Sequence, residues 1–174
     1  LHDDQGRPLA VVHRDVSTSN VLVTYDGVAK VMDFGVASAR DKLHETTTGI
    51  VKGNPGFMSP EQAEGQPVDR RTDVWALGVV LWELLTLSRL FGGGEKYETL
   101  FRIASAAIRP PSEVRSWVPR ELDDVVLKAL RREAGERYQT ARELGRALNR
   151  ALGQLGEPAG AADIADWMDS LFPG

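Results

Sequence analysis

The sequence predicts a mainly α-helical α+β fold carrying one short β-hairpin. Three observations carry that prediction. Asp26-Gly27 lies between two apolar runs, a strong hairpin turn signal. Apolar residues recur at helical spacing from Thr72 to about residue 152. Between these regions, residues 33–60 are rich in Gly, Thr and Pro and show no periodicity, the mark of a functional loop or of disorder.

The elements follow in order. Leu9 to Val12 is a small apolar run. VLVT (21–24) and VAKVM (28–32) flank the turn as the two hairpin strands. Thr72 is placed to cap a helix running to about Thr86, with Val74, Leu77, Leu81 and Leu84 on one stripe and Trp75, Val79 and Trp82 beside it. That helix is apolar nearly all round and belongs in a core. A second helical face comprises Tyr97, Leu100, Phe101, Ala104 and Ile108, and a third Leu122, Val125, Val126 and Leu130. TARE (140–143) is a capping box opening a fourth helix that ends before Gly153. The domain therefore spans 1–152. A Gly/Ala/Pro linker (153–162) leads to an acidic amphipathic tail (163–174) with Ile164, Trp167, Met168 and Leu171 on one side.

Composition narrows the function classes. With 174 residues, 42% hydrophobic and 26% charged, the chain has the makings of one soluble globular domain. A net charge of −4 with no long basic run argues against a dedicated nucleic-acid binder. Zero cysteines exclude disulfides and cysteine-held metals, and His2, His13 and His44 have no metal-ligand spacing. The longest apolar run, VWALGVVLWELL, contains Glu83 and falls short of the ~20 residues a bilayer needs, so no membrane segment and a cytoplasmic location are expected. The first residue is Leu rather than Met, which suggests a missing upstream portion.

The chemistry concentrates at HRDVSTSN (13–20) and DFG (33–35). One strand pair separates them, so a hairpin sets its two ends side by side. Asp15, Asn20 and Asp33 then surround one point with two carboxylates and an amide oxygen. Hard oxygen ligands with open positions suit Mg²⁺ whose remaining shell is filled by phosphates. A carboxylate not held by the metal is free to orient a hydroxyl and take its proton.

These residues resemble those of the protein kinases, in particular the eukaryotic-like Ser/Thr kinases of bacteria. The matching motifs are His13-Arg14-Asp15…Asn20, Asp33-Phe34-Gly35, Ser59-Pro60-Glu61, DVWALG (73–78) and ERYQTA (136–141). The resemblance implies a kinase-like large, C-terminal lobe over roughly residues 1–152, using ATP and Mg²⁺ on a protein substrate. It implies Asp15 as catalytic base, Asn20 and Asp33 as Mg²⁺ ligands, and Leu22 under the adenine ring. His13 and Phe34 would stack in a regulatory column of apolar side chains, with Gly35 completing the DFG turn. Asp73 would anchor the catalytic loop, and Glu61 would pair with Arg137. Arg14 would bind a phosphate placed on Thr46, Thr47 or Thr48. Gly92-Gly93-Gly94 follows a helix and lacks the Lys-Ser/Thr of a phosphate loop, so it reads as a plain loop.

Two departures from the pattern stand out. Ser17 occupies a position where Ser/Thr kinases usually carry Lys, and Asn54 occupies that of the Thr which usually bonds this Lys. Loss of the cation is expected to slow phosphoryl transfer. Asn54 is expected to donate to Asp15 or Ser17, and Lys52 is the candidate substitute cation. Tyrosine kinases also lack the Lys, but their usual loop patterns are absent, so Ser/Thr is the expected acceptor.

No Gly-rich phosphate-covering loop, strand lysine of the V-A-I-K type or partner helix glutamate occurs in the sequence. The chain is therefore expected to be the C-terminal part of a kinase, inactive alone, with helix 72–86 showing apolar surface to water where a packing partner is lost. The alternative is a catalytically inactive kinase-like lobe acting as an interaction module, docking through its exposed inter-lobe face or tail 163–172.

Overall fold

The computed structural model describes residues 11–34, 54–92 and 94–173. Expectations for Leu9, Gly35, Thr46, Thr47, Thr48, Lys52 and Gly93 lie outside the described residues. Strand β1 (Val21–Val23) pairs antiparallel with β2 (Ala29–Val31) in the register Val21–Val31, Leu22–Lys30, Val23–Ala29. Gly27 at φ +77° closes the turn, where a side chain would be strained, and its N–H donates to the Thr24 carbonyl. Among the described residues seven α-helices follow: α1 (Pro60–Ala63), α2 (Arg70–Thr86), α3 (Lys96–Ser105), α4 (Pro111–Val114), α5 (Asp123–Ala129), α6 (Ala141–Leu155) and α7 (Ala161–Leu171).

Helix α2 is the axis of the fold. Trp75, Ala76, Val79, Val80 and Trp82 enter one core with Phe57, Met58, Phe91, Ile103, Val126 and Leu130. Val74 enters a second core with Val118, Leu122, Val125, Leu144, Ala147 and Ala151. Leu77, Leu81 and Leu85 touch both. This helix, apolar nearly all round, is thus covered on both flanks, and Val74, Trp75 and Val79 are fully buried. The expected bare apolar surface on α2 is corrected, because α4, α5, α6 and the 3₁₀ turn Pro55–Phe57 supply its packing partners. Leu84 does face solvent. Gly78 brings α2 close to α5: a Cβ there would lie 3.0 Å from the Cβ of Ala129 and from Leu130.

Several boundaries differ from expectation. Asp69, not Thr72, caps α2: its carboxylate accepts the Arg71 N–H at 2.8 Å. Thr72 lies one turn inside and is buried. On α3, Thr99 and Ile103 point inward while Tyr97 and Phe101 are exposed, so the expected apolar face is rotated. Thr140 caps α6 as read, but the expected capping box is not closed, since the Glu143 carboxylate accepts the Gln139 N–H instead. The helix runs through Gly153 to Leu155, because a glycine weakens a helix without ending it. In α7, Ile164, Ala165 and Met168 are half-buried, whereas Trp167 and Leu171 are largely exposed.

Candidate active site

Residues 13–20 precede β1 and Asp33 follows β2, so chain order places both at the base of the hairpin. Asn20 closes a 3₁₀ turn (Thr18–Asn20) and its amide nitrogen donates to the Asp15 carbonyl at 2.7 Å and to the Asp15 carboxylate at 3.1 Å. Its backbone carbonyl accepts the Met32 N–H at 2.8 Å, which extends the strand pairing by one step and sets Asp33 beside it. With the amide nitrogen committed to Asp15, the Asn20 side-chain oxygen is left as an acceptor. Asp33 adopts φ +58°, a left-handed conformation that Asp tolerates better than most residues. Among the described residues its carboxylate makes no hydrogen bond or ion pair, and no group of three or more His, Asp or Glu could hold a metal. An amide oxygen and a carboxylate, as Asn20 and Asp33 carry, are donors of the kind that suits Mg²⁺ completing its shell with water or phosphate.

His13 organises the loop from within. It is buried; its Nε2 donates to the Met32 carbonyl at 2.8 Å, and its Nδ1 accepts the Asp15 N–H at 3.3 Å. The neutral Nε2–H tautomer satisfies both bonds. The His13 and Phe34 rings lie 4.8 Å apart, tilted by 49° rather than stacked. Asp73, from α2, accepts the N–H groups of His13 at 2.9 Å and Arg14 at 2.8 Å, one on each oxygen. Those bonds hold Arg14 at φ +68°, uncommon for a residue with a long side chain. Leu22 is half-exposed on β1.

Ser17 is fully buried, and its hydroxyl pairs with that of Ser19 at 2.9 Å. Asn54 does not make the expected donation to Asp15 or Ser17. Its side-chain oxygen accepts from Gly56 N–H at 3.2 Å and caps the turn Pro55–Phe57, the ordinary role of an Asn preceding proline and glycine.

Glu61 and Arg137 meet in a bidentate pair, both contacts 2.8 Å, with the Arg137 side chain wholly buried. The Arg137 guanidinium also donates to the carbonyls of Arg71, Arg131 and Arg132 and lies 5.1 Å from the Trp75 ring. Burial pushes the Glu61 carboxyl upward. The hydrogen bonds from Arg137 and Thr72 and the guanidinium charge outweigh it and hold the carboxyl at about 2.

One connection escaped the sequence reading. Gln62 makes a capping box with Ser59, and its amide nitrogen donates to the Arg14 carbonyl at 2.9 Å. This ties the Ser59-Pro60-Glu61 segment to the 13–20 loop. The S-x-x-Q spacing was the available signal.

The geometry thus joins a loop held from a buried helix, a carboxylate–amide pair at a hairpin base and an ion pair fastening the intervening segment. The protein kinase domain model matches residues 1–147, and the chain belongs to that family. It is 41% identical over 170 residues to the tyrosine-protein kinase MasK of Myxococcus xanthus, covering 98% of this chain and 26% of that protein. It is 38% identical over 134 residues to a probable serine/threonine-protein kinase of Clostridium perfringens, covering 77% and 20%. Against the serine/threonine-protein kinase PknB of Mycobacterium leprae it is 41% identical over 135 residues, covering 77% and 22%. The chain thus spans about a quarter or less of the length of these relatives. Among the described residues no helix is long and apolar enough to cross a membrane.

Proposed function

We propose that this chain supplies the catalytic-loop half of a protein kinase that transfers the ATP γ-phosphate to Ser or Thr hydroxyls of proteins. The observation that carries the reading is the Asn20 amide bonded to the Asp15 carboxylate while its backbone pairs with Met32, beside Asp33. In this reading Asp15 receives the acceptor hydroxyl's proton, and its orientation is fixed by the Asn20 amide and the His13-supported loop. Asn20 and Asp33 hold Mg²⁺ through oxygen; when bound, the ion neutralises charge developing on the phosphates. Leu22 gives the adenine an apolar surface. Arg14 receives a phosphate on Thr46, Thr47 or Thr48, which orders the segment between the DFG and SPE motifs. Ser17 brings no cation to the transfer step, so the site lacks one electrostatic contribution, and Lys52 is the residue to replace it.

A second acceptor reading has its own support. The relative that covers nearly the whole chain is named a tyrosine-protein kinase, whereas the other two carry serine/threonine names. Ser17 in place of the usual Lys removes the loop feature that separates the classes.

The test uses the whole protein with radiolabelled ATP, Mg²⁺ and a mixed protein substrate, followed by phosphoamino-acid analysis. Phosphoserine and phosphothreonine are expected, with Asp15→Asn slowing transfer by about 10²-fold or more while nucleotide binding persists. Phosphotyrosine alone would replace the acceptor class. Nucleotide binding without any transfer, unaffected by Asp15→Asn, would leave the interaction-module alternative.

A further inference from the structure

Two chain-distant parts meet at the tip of the hairpin. Gly27 is buried, although Tyr25, Asp26, Val28, Ala29 and Lys30 around it are all exposed. What covers it is the start of α7: a Cβ added at Gly27 would overlap the Ala161 carbonyl oxygen and crowd its carbonyl carbon. Only glycine allows that approach. Helix α7 is built to stay formed, since Asp163 caps it by accepting the Gly160 N–H at 2.7 Å. It is also joined within five residues to α6, whose Leu144, Ala147 and Ala151 are sunk in the second core.

Among the described residues the hairpin has little other support. Its strands are three residues each, and all but Val21 are exposed. A two-stranded hairpin is at best marginally stable in water. Its base is fastened by the Asn20–Met32 and His13–Met32 bonds. Its tip has, besides the Thr24–Val28 and Thr24–Gly27 turn bonds, the α7 contact.

We propose that α7 is a strap seated on the hairpin tip at Gly27, holding β1 and β2 in register and thereby positioning Asn20 and Asp33 at the base. The catalytic half of this inference rests on the proposed roles of Asn20 and Asp33; the mechanical half does not. Gly27 and α7 act through the hairpin and are positioning elements. The strap couples α7 to the metal side of the site, because displacing α7 uncovers the tip.

The test is Ala165→Pro in the whole protein, which breaks α7 without touching the hairpin. Asp163→Ala is the milder companion, removing only the cap. Hydrogen exchange read by mass spectrometry is expected to accelerate by about tenfold or more over residues 21–31 in Ala165→Pro and less in Asp163→Ala. Exchange in α2 should be unchanged, which also shows that the variant is folded. The Mg²⁺ concentration for half-maximal transfer is expected to rise several-fold while the KM for protein substrate holds. Unchanged exchange over 21–31 with α7 demonstrably melted overturns the strap. Faster exchange with an unchanged Mg²⁺ requirement keeps the mechanical contact and overturns the positioning role. The exchange measurement stands even where the protein transfers no phosphate, so failure of the strap and failure of the kinase reading are separately visible.

Discussion

Single side chains in this lobe are chosen for donor geometry rather than for charge. Arg137, its side chain wholly buried, uses its guanidinium on both oxygens of Glu61 and on three backbone carbonyls. A lysine keeps the charge but offers three donors from one point, so it leaves buried carbonyls unpaired. We predict that Arg137→Lys lowers stability by about 2–4 kcal/mol, since each unsatisfied buried group costs about 1–3 kcal/mol. Chemical denaturation of the purified lobe checks it, and a loss under about 1 kcal/mol would mean the charge alone suffices. Asp73 follows the same logic, spending one oxygen on each of two successive backbone N–H groups. A carboxylate accepts both bonds, whereas an amide in its place would set an N–H donor against one of them.

At the scale of elements, spacing sets how closely helices approach. Gly78→Ala should gain up to about 1 kcal/mol of helix propensity. It should also push a methyl against Ala129 and Leu130 at 3.0 Å, and overpacking costs about 1–3 kcal/mol. The second effect wins, because the Ala129 Cβ is fixed to its backbone and cannot swing aside. The expected outcome is a lower urea midpoint for Gly78→Ala and a lower one still for Gly78→Val; a raised midpoint for the alanine would show that α2 and α5 separate freely. This element scale is also where the sequence was most and least readable. The hairpin turn, the mostly apolar α2 and the Leu122–Leu130 face were legible, because local periodicity and turn chemistry dictate them. Thr72 misled, since a helix start depends on which side chain reaches the free N–H groups, and Asp69 reaches one first. Tyr97 and Phe101 misled for another reason: exposed aromatics share the spacing of buried ones, and only the neighbours decide. The meeting of Asp15 and Asn20 could be read from their spacing, whereas the Gly27–Ala161 contact joins positions whose proximity no local pattern encodes.

The whole molecule is stitched across its sequence by the ion pair between Glu61 and Arg137, which joins the segment ahead of α2 to the turn ahead of α6. That bond gives the lobe a defined response to acid. Glu61 sits at about 2 when folded against an ordinary value of 4.5, so the folded state holds its carboxylate more tightly deprotonated than the unfolded chain does. A depressed carboxyl contributes stability in full above its unfolded value and loses it as pH falls through the folded one. The window is therefore pH 4.5 down to about 2, with about 3 kcal/mol at stake. Glu83 works the other way: burial raises its carboxyl, more than the Leu90 N–H bond and Arg89 lower it, so protonating it relieves the fold. The larger displacement belongs to Glu61, and net stability should fall across the window. Urea midpoints measured from pH 6 to pH 2 are expected to drop in the native chain. In Glu61→Gln the curve should start lower, because Arg137 keeps a buried charge without a counter-ion, and be flatter below pH 4.5. An equally steep acid slope in that variant would assign the loss to carboxylates other than the one gripping Arg137.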